Sequence, residues 1–212
     1  MLNLINQVKD KFISISNESQ GLFKDKGSRF IAYAYPVSSE EEVKALIKEL
    51  TAKHHGARHV CYAYRIFTFG KAQGKWRAND DGEPSGTAGR PILGQIDSAG
   101  LSNILVAVVR YFGGILLGVP GLINAYRSAA ADAIANAERV EKTATVWRQI
   151  EFTYENMPMV ESFIKAQGLT AKNREFSEHC SIEVEIPLSL HDKIVKKLKK
   201  SVTFKENSDK SI

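Results

Sequence analysis

The sequence predicts an α+β protein of two domains, residues 1–138 and 139–212, and three observations carry that prediction. A continuous apolar, β-branched run across Asn103–Phe112 suits a strand buried on both faces. Stretches rich in β-formers alternate with stretches of helical period on either side of it. After Ala137 the chain turns polar and then begins a second, shorter series of elements.

Arg29–Val37 reads as a strand, and the helix after it starts at a capping box, Ser39 with Glu42 three residues on. Val43, Leu46, Ile47 and Leu50 make its apolar face. His59–Phe69 reads as a second strand, with a polar loop, Asp80–Pro91, expected to follow directly. Asn103–Phe112 is then the central strand. Gly113, Gly114, Gly118 and Gly121 form a glycine-rich turn leading through Pro120 into an alanine-crowded helix from about Gly121 to Ala137, whose small side chains allow close packing on a sheet.

Glu138–Thr145 is expected to be a linker. Beyond it come a strand (Trp147–Tyr154), a helix (Met159–Gln167, ended by Gly168), strands across Thr170–Ile186, a helix (Ser189–Lys200) and a last strand (Val202–Lys205). That βαββαβ order is the ferredoxin-like pattern. The last helix sets Leu190, Ile194 and Leu198 on one face and Lys193, Lys196, Lys197, Lys199 and Lys200 largely elsewhere, which reads first as a solvated face.

Composition narrows the function classes. A formal charge of +5 permits anionic partners without approaching the density of a histone-like tail. Cys61 and Cys180 stand far apart, so neither a disulfide framework nor a zinc ribbon is expected, and a reducing cytoplasm fits. The opening decapeptide lacks the basic and apolar regions of a secretory signal. The run Ile104–Val109 is far short of the roughly 20 residues a membrane helix needs, so no membrane association is expected.

The segment Asp80-Asp-Gly-Glu-Pro-Ser-Gly-Thr-Ala-Gly-Arg-Pro91 cannot build a core, and a long ordered loop of this kind is usually functional. Asp80, Asp81 and Glu83 could supply oxygen ligands to a cation such as Mg²⁺, but they lack the EF-hand frame, and carboxylates beside Gly and Pro are ordinary turn residues. Ser85 and Thr87 sit outside any G-x-S-x-G elbow, and no spacing sets His59 beside Ser85 as a base. His54, His55, His59 and Cys61 have no metal-ligand spacing, so no metal and no cofactor are expected.

A glycine-rich entry to a helix, such as Gly113–Gly121, presents backbone N–H groups and a positive dipole end to an anion. The P-loop and G-x-G-x-x-G signatures are both absent. Arginines flank these features: Arg58 before the His59 strand, Arg90 in the loop, Arg110 near the end of the buried strand and Arg127 on the following helix. Two readings stand: the arginines converge as a phosphate site, or some of them pair with Asp80, Asp81 and Glu83 to shape the loop.

These residues also carry a family resemblance. Arg58-His-Val-Cys-Tyr-Ala-Tyr-Arg65, Asp80-Asp-Gly-Glu-Pro-Ser-Gly-Thr-Ala-Gly89 and Arg110-Tyr-Phe-Gly-Gly-Ile-Leu-Leu-Gly118, with Gly121-Leu and Ala125-Tyr126, resemble the YigZ/IMPACT family over roughly residues 15–135. The remainder resembles the small C-terminal domain of bacterial members. The resemblance implies an N-terminal α/β sandwich like that of ribosomal proteins and the fourth domain of elongation factor G, and a C-terminal domain like that factor's fifth. Its eukaryotic members are translation-stress regulators acting through a protein partner. It supplies no catalytic residues. Where the family commonly has Gly-Thr-Gly-Gly-Leu-Val-Arg-Ala-Tyr, this chain has Gly118-Val-Pro-Gly-Leu-Ile-Asn-Ala-Tyr126, with Arg127 next on the helix.

The expected function is therefore a non-catalytic, translation-linked protein that binds RNA or the ribosome. The anion-facing residues are Arg58, His59, Arg90, Arg110, Gly113, Gly114, Gly118, Gly121 and Arg127, around a functional loop of Asp80, Asp81, Gly82, Glu83, Pro84, Ser85, Gly86, Thr87 and Gly89. The alternatives are an enzyme using a divalent cation on a phosphorylated or nucleotide-like substrate, and a protein-binding regulator.

Overall fold

The computed structural model describes residues 10–68, 71–177, 180–199 and 201–211. Phe69 and Lys200, the expected ends of a strand and a helix, lie outside the described residues, as does the opening decapeptide up to Lys9. The chain separates into a larger unit, Phe12–Lys142, and a smaller one built from Thr143 onward together with Asp10 and Lys11.

The larger unit contains β1 (Lys11–Ile15), β2 (Ser19–Asp25), β3 (Ser28–Pro36), α1 (Glu40–Lys53), β4 (His59–Thr68), β5 (Lys71–Asn79), α2 (Gly89–Ser98), β6 (Ile104–Tyr111), α3 (Gly118–Ala135) and β7 (Arg139–Thr143). Its five-stranded sheet has the order β2-β3-β6-β4-β5 and is antiparallel throughout, while β1 and β7 pair with each other. The β-branched strand β6 lies at the centre, buried from Ile104 to Arg110. Helices α2 and α3 cover one face, where Ile92, Ile96, Ala129 and Ala133 meet Phe30, Ala32, Ala63 and Val106. Helix α1 packs on the other through Val43 and Leu50, against Tyr33, Val60, Leu105 and Val109. The Ser39 cap at its start forms, Glu42 N–H donating to Ser39 Oγ at 3.2 Å, while the Glu42 carboxylate accepts from Ser38 N–H, one residue before the cap, at 2.7 Å.

Small side chains on α3 permit the predicted close approach. A Cβ on Gly21 of β2 would stand 2.3 Å from the Ala133 amide nitrogen, so only glycine lets this strand and helix touch.

Several boundaries differ from the sequence reading. Strand β5 intervenes between β4 and the polar loop, and the loop ends at Ala88, because Gly89-Arg90-Pro91 is the first turn of α2. Proline is tolerated there, where its missing N–H would have had no helical partner. Helix α3 begins at Gly118, three residues early, and ends at Ala135. Most of the expected linker Glu138–Thr145 is strand β7.

The smaller unit comprises β8 (Thr145–Phe152), a short 3₁₀ turn, α4 (Met157–Gln167), β9 (Thr170–Glu175), β10 (Cys180–Pro187), α5 (Leu188–Leu198) and β11 (Thr203–Ser211). Its sheet order, β11-β8-β10-β9, sets the first and third strands at the centre, as βαββαβ connectivity with right-handed crossovers requires. Phe163, Ile164, Ile194 and Leu198 from the two helices share one core with Ile150, Ile182 and Val184. Helix α4 closes on Gly168 in the left-handed region, φ 63°. Helix α5 follows Pro187, which has no capping side chain, and Asp10 supplies the carboxylate, accepting from Ser189 N–H at 3.2 Å and Ser189 Oγ–H at 2.5 Å. Such a cap is worth about 1 kcal/mol. Among the described residues no helix is long and apolar enough to cross a membrane.

Candidate functional site

Antiparallel register aligns His59 on β4 with Arg110 on β6, and the segment 80–88 folds back over this end of the sheet. Each of its three carboxylates meets different partners. Asp80 closes the loop on itself: one oxygen accepts from Gly86 N–H at 2.8 Å, the other from Ala88 N–H at 3.0 Å and Gly89 N–H at 2.8 Å. Two of those amides are at the start of α2, so the anion at this helix N-terminus is the protein's own. Partial burial pushes the Asp80 carboxyl upward, but the amide bonds from Gly86, Gly89 and Ala88 and the Arg90 charge outweigh it and hold the group below its usual range.

Asp81 ties the loop to the sheet, accepting from Val60 N–H at 2.7 Å. Its carbonyl accepts from His59 Nδ1 at 2.6 Å, which fixes the proton on that nitrogen in the neutral ring. Glu83 turns inward. Its side chain is 4% exposed, and Oε1 accepts from Arg110 Nη1 at 2.5 Å and from the Tyr126 hydroxyl at 2.8 Å. Arg110, itself 7% exposed, lies over the rings of Phe30 and Phe112 at 5.4 and 5.6 Å, while its Nε has no hydrogen-bond partner among the described residues.

Below Glu83 the Cys61 thiol stands 3.0 Å from the Asp80 carbonyl oxygen and 3.3 Å from Tyr126 Oη. Burial is the main force pushing both the thiol and the phenol far above their ordinary ranges, so both stay protonated. Cys61 is thus a packed thiol rather than a nucleophile. Together, β4, β6, α3 and the loop are clasped at one point.

The remaining candidates divide. Thr87 is buried, its hydroxyl donating to Pro84 O at 2.6 Å, while Ser85 and Pro84 are exposed. Gly113 is consumed by packing: its N–H donates to Ser28 Oγ at 3.1 Å, and a Cβ there would stand 2.0 Å from the Gly27 carbonyl carbon. Gly118 and Gly121 are in the first turn of α3, and Gly114 is exposed in the turn before it. Arg58, Arg90 and Arg127 are exposed. Arg58 and Arg127 make no ion pair among the described residues, whereas Arg110, expected at phosphate, is the one that pairs internally.

The histidine and cysteine cluster is dispersed. His54 is held between the hydroxyls of Tyr33 and Tyr111 at 2.8 Å each, His55 is exposed, His59 is on Asp81, and Cys61 is buried. Among the described residues no group of three or more His, Cys, Asp or Glu gathers as a metal site, so Asp80, Asp81 and Glu83 do not converge as the cation-dependent alternative requires. Tyr126 and Cys61, which complete the clasp, were not among the sequence-predicted site residues. A lone tyrosine on the alanine face of α3 was the available signal.

The whole clasp falls inside one family match: the model described as Impact N-terminal domain matches residues 26–134. This chain belongs to the IMPACT family. It is 36% identical over 160 residues to an IMPACT family member from Thermus thermophilus, covering 76% of this chain and 84% of that one. It is 32% identical over 162 residues to the IMPACT family member YigZ of Escherichia coli K12, covering 76% and 79%. A crystal structure of a protein described as hypothetical matches with a TM-score of 0.69 and 26% identity, over 94% of this chain and 98% of the other, so the likeness extends across both units.

Proposed function

We propose that this IMPACT family chain is a translation-linked, non-catalytic protein that binds RNA or the ribosome through the clasped end of its larger unit. Exposed Arg58, Arg90 and Arg127 contact phosphate there, and Arg110 holds the loop in shape. One observation carries the reading: Glu83 is paired with Arg110 and Asp80 is bound by the amides that open α2, so beside the exposed Asp81 it is Arg58, Arg90 and Arg127 that supply most of the outward-facing charge. Such a surface attracts a polyanion. The link to translation rests on the resemblance to translation-factor domains. Fluorescence anisotropy with a structured RNA tests the reading: affinity falls steeply as salt rises, and the Arg58→Ala, Arg90→Ala, Arg127→Ala triple variant lowers both affinity and salt slope.

A further inference from the structure

The connection from β6 to α3, with the first turn of that helix, carries four large apolar side chains in the open. Phe112 is 41% exposed, Ile115 55%, Leu116 82% and Val119 51%. An exposed apolar cluster on an otherwise polar surface marks an interaction site.

Its outward aim is built in. Gly113 is wedged against the backbone of Gly27 and Ser28, and Leu117, 9% exposed, anchors the turn in the core between Leu116 and Gly118. These two contacts fix the turn on either side of Ile115 and Leu116, whose side chains stand exposed.

Cations border this turn. Strand register aligns Lys24 with Arg29 and Arg29 with Tyr111, the residue before Phe112, and Arg29 stacks over the Tyr111 ring at 5.2 Å. Exposed Lys26 precedes Gly27, on which Gly113 rests. Exposed Arg58 is held to the same strand end by its N–H bond to Arg110 O at 3.1 Å. Asp25, the last residue of β2, is the one carboxylate across Lys24–Arg29.

An apolar tip bordered by cations complements a polyanion that also offers flat apolar faces. We infer that the Phe112–Val119 turn docks the unstacked bases of a single-stranded RNA loop, while the surrounding Lys and Arg side chains hold its backbone. This rests on the RNA-binding reading above and names the RNA it prefers. Base–side-chain contact tolerates any sequence, and apolar wedges of Leu, Ile and Phe act between bases in other nucleic-acid binders.

The test uses the full chain and two labelled RNAs, a hairpin with about ten unpaired loop nucleotides and a fully paired duplex of equal length. Wild type binds the hairpin more tightly. The Ile115→Ser, Leu116→Ser double variant, altered only at exposed positions, loses about tenfold or more in hairpin affinity, with duplex affinity and salt slope within about twofold of wild type. Unchanged hairpin affinity in the variant, or equal wild-type affinity for both RNAs, overturns this inference alone. No wild-type binding to either RNA at low salt overturns the RNA-binding reading with it, and binding confined to a protein or to anionic phosphatidylserine vesicles does the same.

Discussion

Glu83 and Arg110 form a buried ion pair, Oε1 to Nη1 at 2.5 Å, that joins the polar loop to the central strand of the larger unit. Removing one partner leaves the other charge buried and alone, which costs about 3–5 kcal/mol, whereas replacing both costs far less. Arg110→Met and Glu83→Gln each lower the urea midpoint sharply. The double variant is more stable than the sum of the two losses predicts. Additive losses would mean the pair is not coupled.

Tyr126 supplies the second donor to Glu83. Tyr126→Phe keeps the ring against Phe30, at 5.1 Å, and removes only the hydroxyl. The expected loss is about 1–3 kcal/mol, read as a lower urea midpoint with an unchanged m-value. A neutral result would place the stability of the clasp in Arg110 alone.

Asp80 gives the loop a pH dependence. Its folded-state pKa is lowered, so the folded protein binds fewer protons than the unfolded chain in the acid range. The stabilisation is present above the unfolded aspartate value, roughly 3.9, and is lost as pH falls through the folded one. Asp80→Asn costs about 1 kcal/mol near neutral pH and reduces the acid slope of stability measured between about pH 5 and 2. A variant with the wild-type slope would contradict this.

Two glycines make a matched pair. A Cβ at Gly113 collides with the Gly27–Ser28 backbone, whereas one at Gly94, inside α2, meets nothing within 4 Å. Gly113→Ala destabilises by about 1–3 kcal/mol and Gly94→Ala stabilises by up to about 1 kcal/mol, both checked by thermal unfolding. Equal shifts would show that the turn yields.

The strongly patterned elements were legible in the sequence. Strand β6 announced itself by its unbroken β-branched run, and α3 by its alanines. Strand β5 did not, because Lys-Ala-Gln-Gly-Lys-Trp-Arg-Ala-Asn at a sheet edge shows little apolar alternation. Helix α2 hid its start, since the residue before it, Ala88, has no capping side chain and the capping carboxylate comes from Asp80. At the site, the loop and its flanking arginines could be named from their residue types. Which arginine turned inward could not, because Glu83 meets Arg110 and Tyr126 across 27 and 43 residues of chain, through register and helix packing.

The most direct test of the proposed function is the salt dependence of RNA binding by wild type and the Arg58→Ala, Arg90→Ala, Arg127→Ala variant. Wild-type affinity for a structured RNA should fall steeply, linearly in log–log form, between about 50 and 200 mM salt. The variant should bind more weakly, with a slope shallower by about one unit for each phosphate it no longer neutralises. Identical slopes in the two proteins, or no binding by wild type at the lowest salt, would contradict a phosphate-facing role for this end of the molecule.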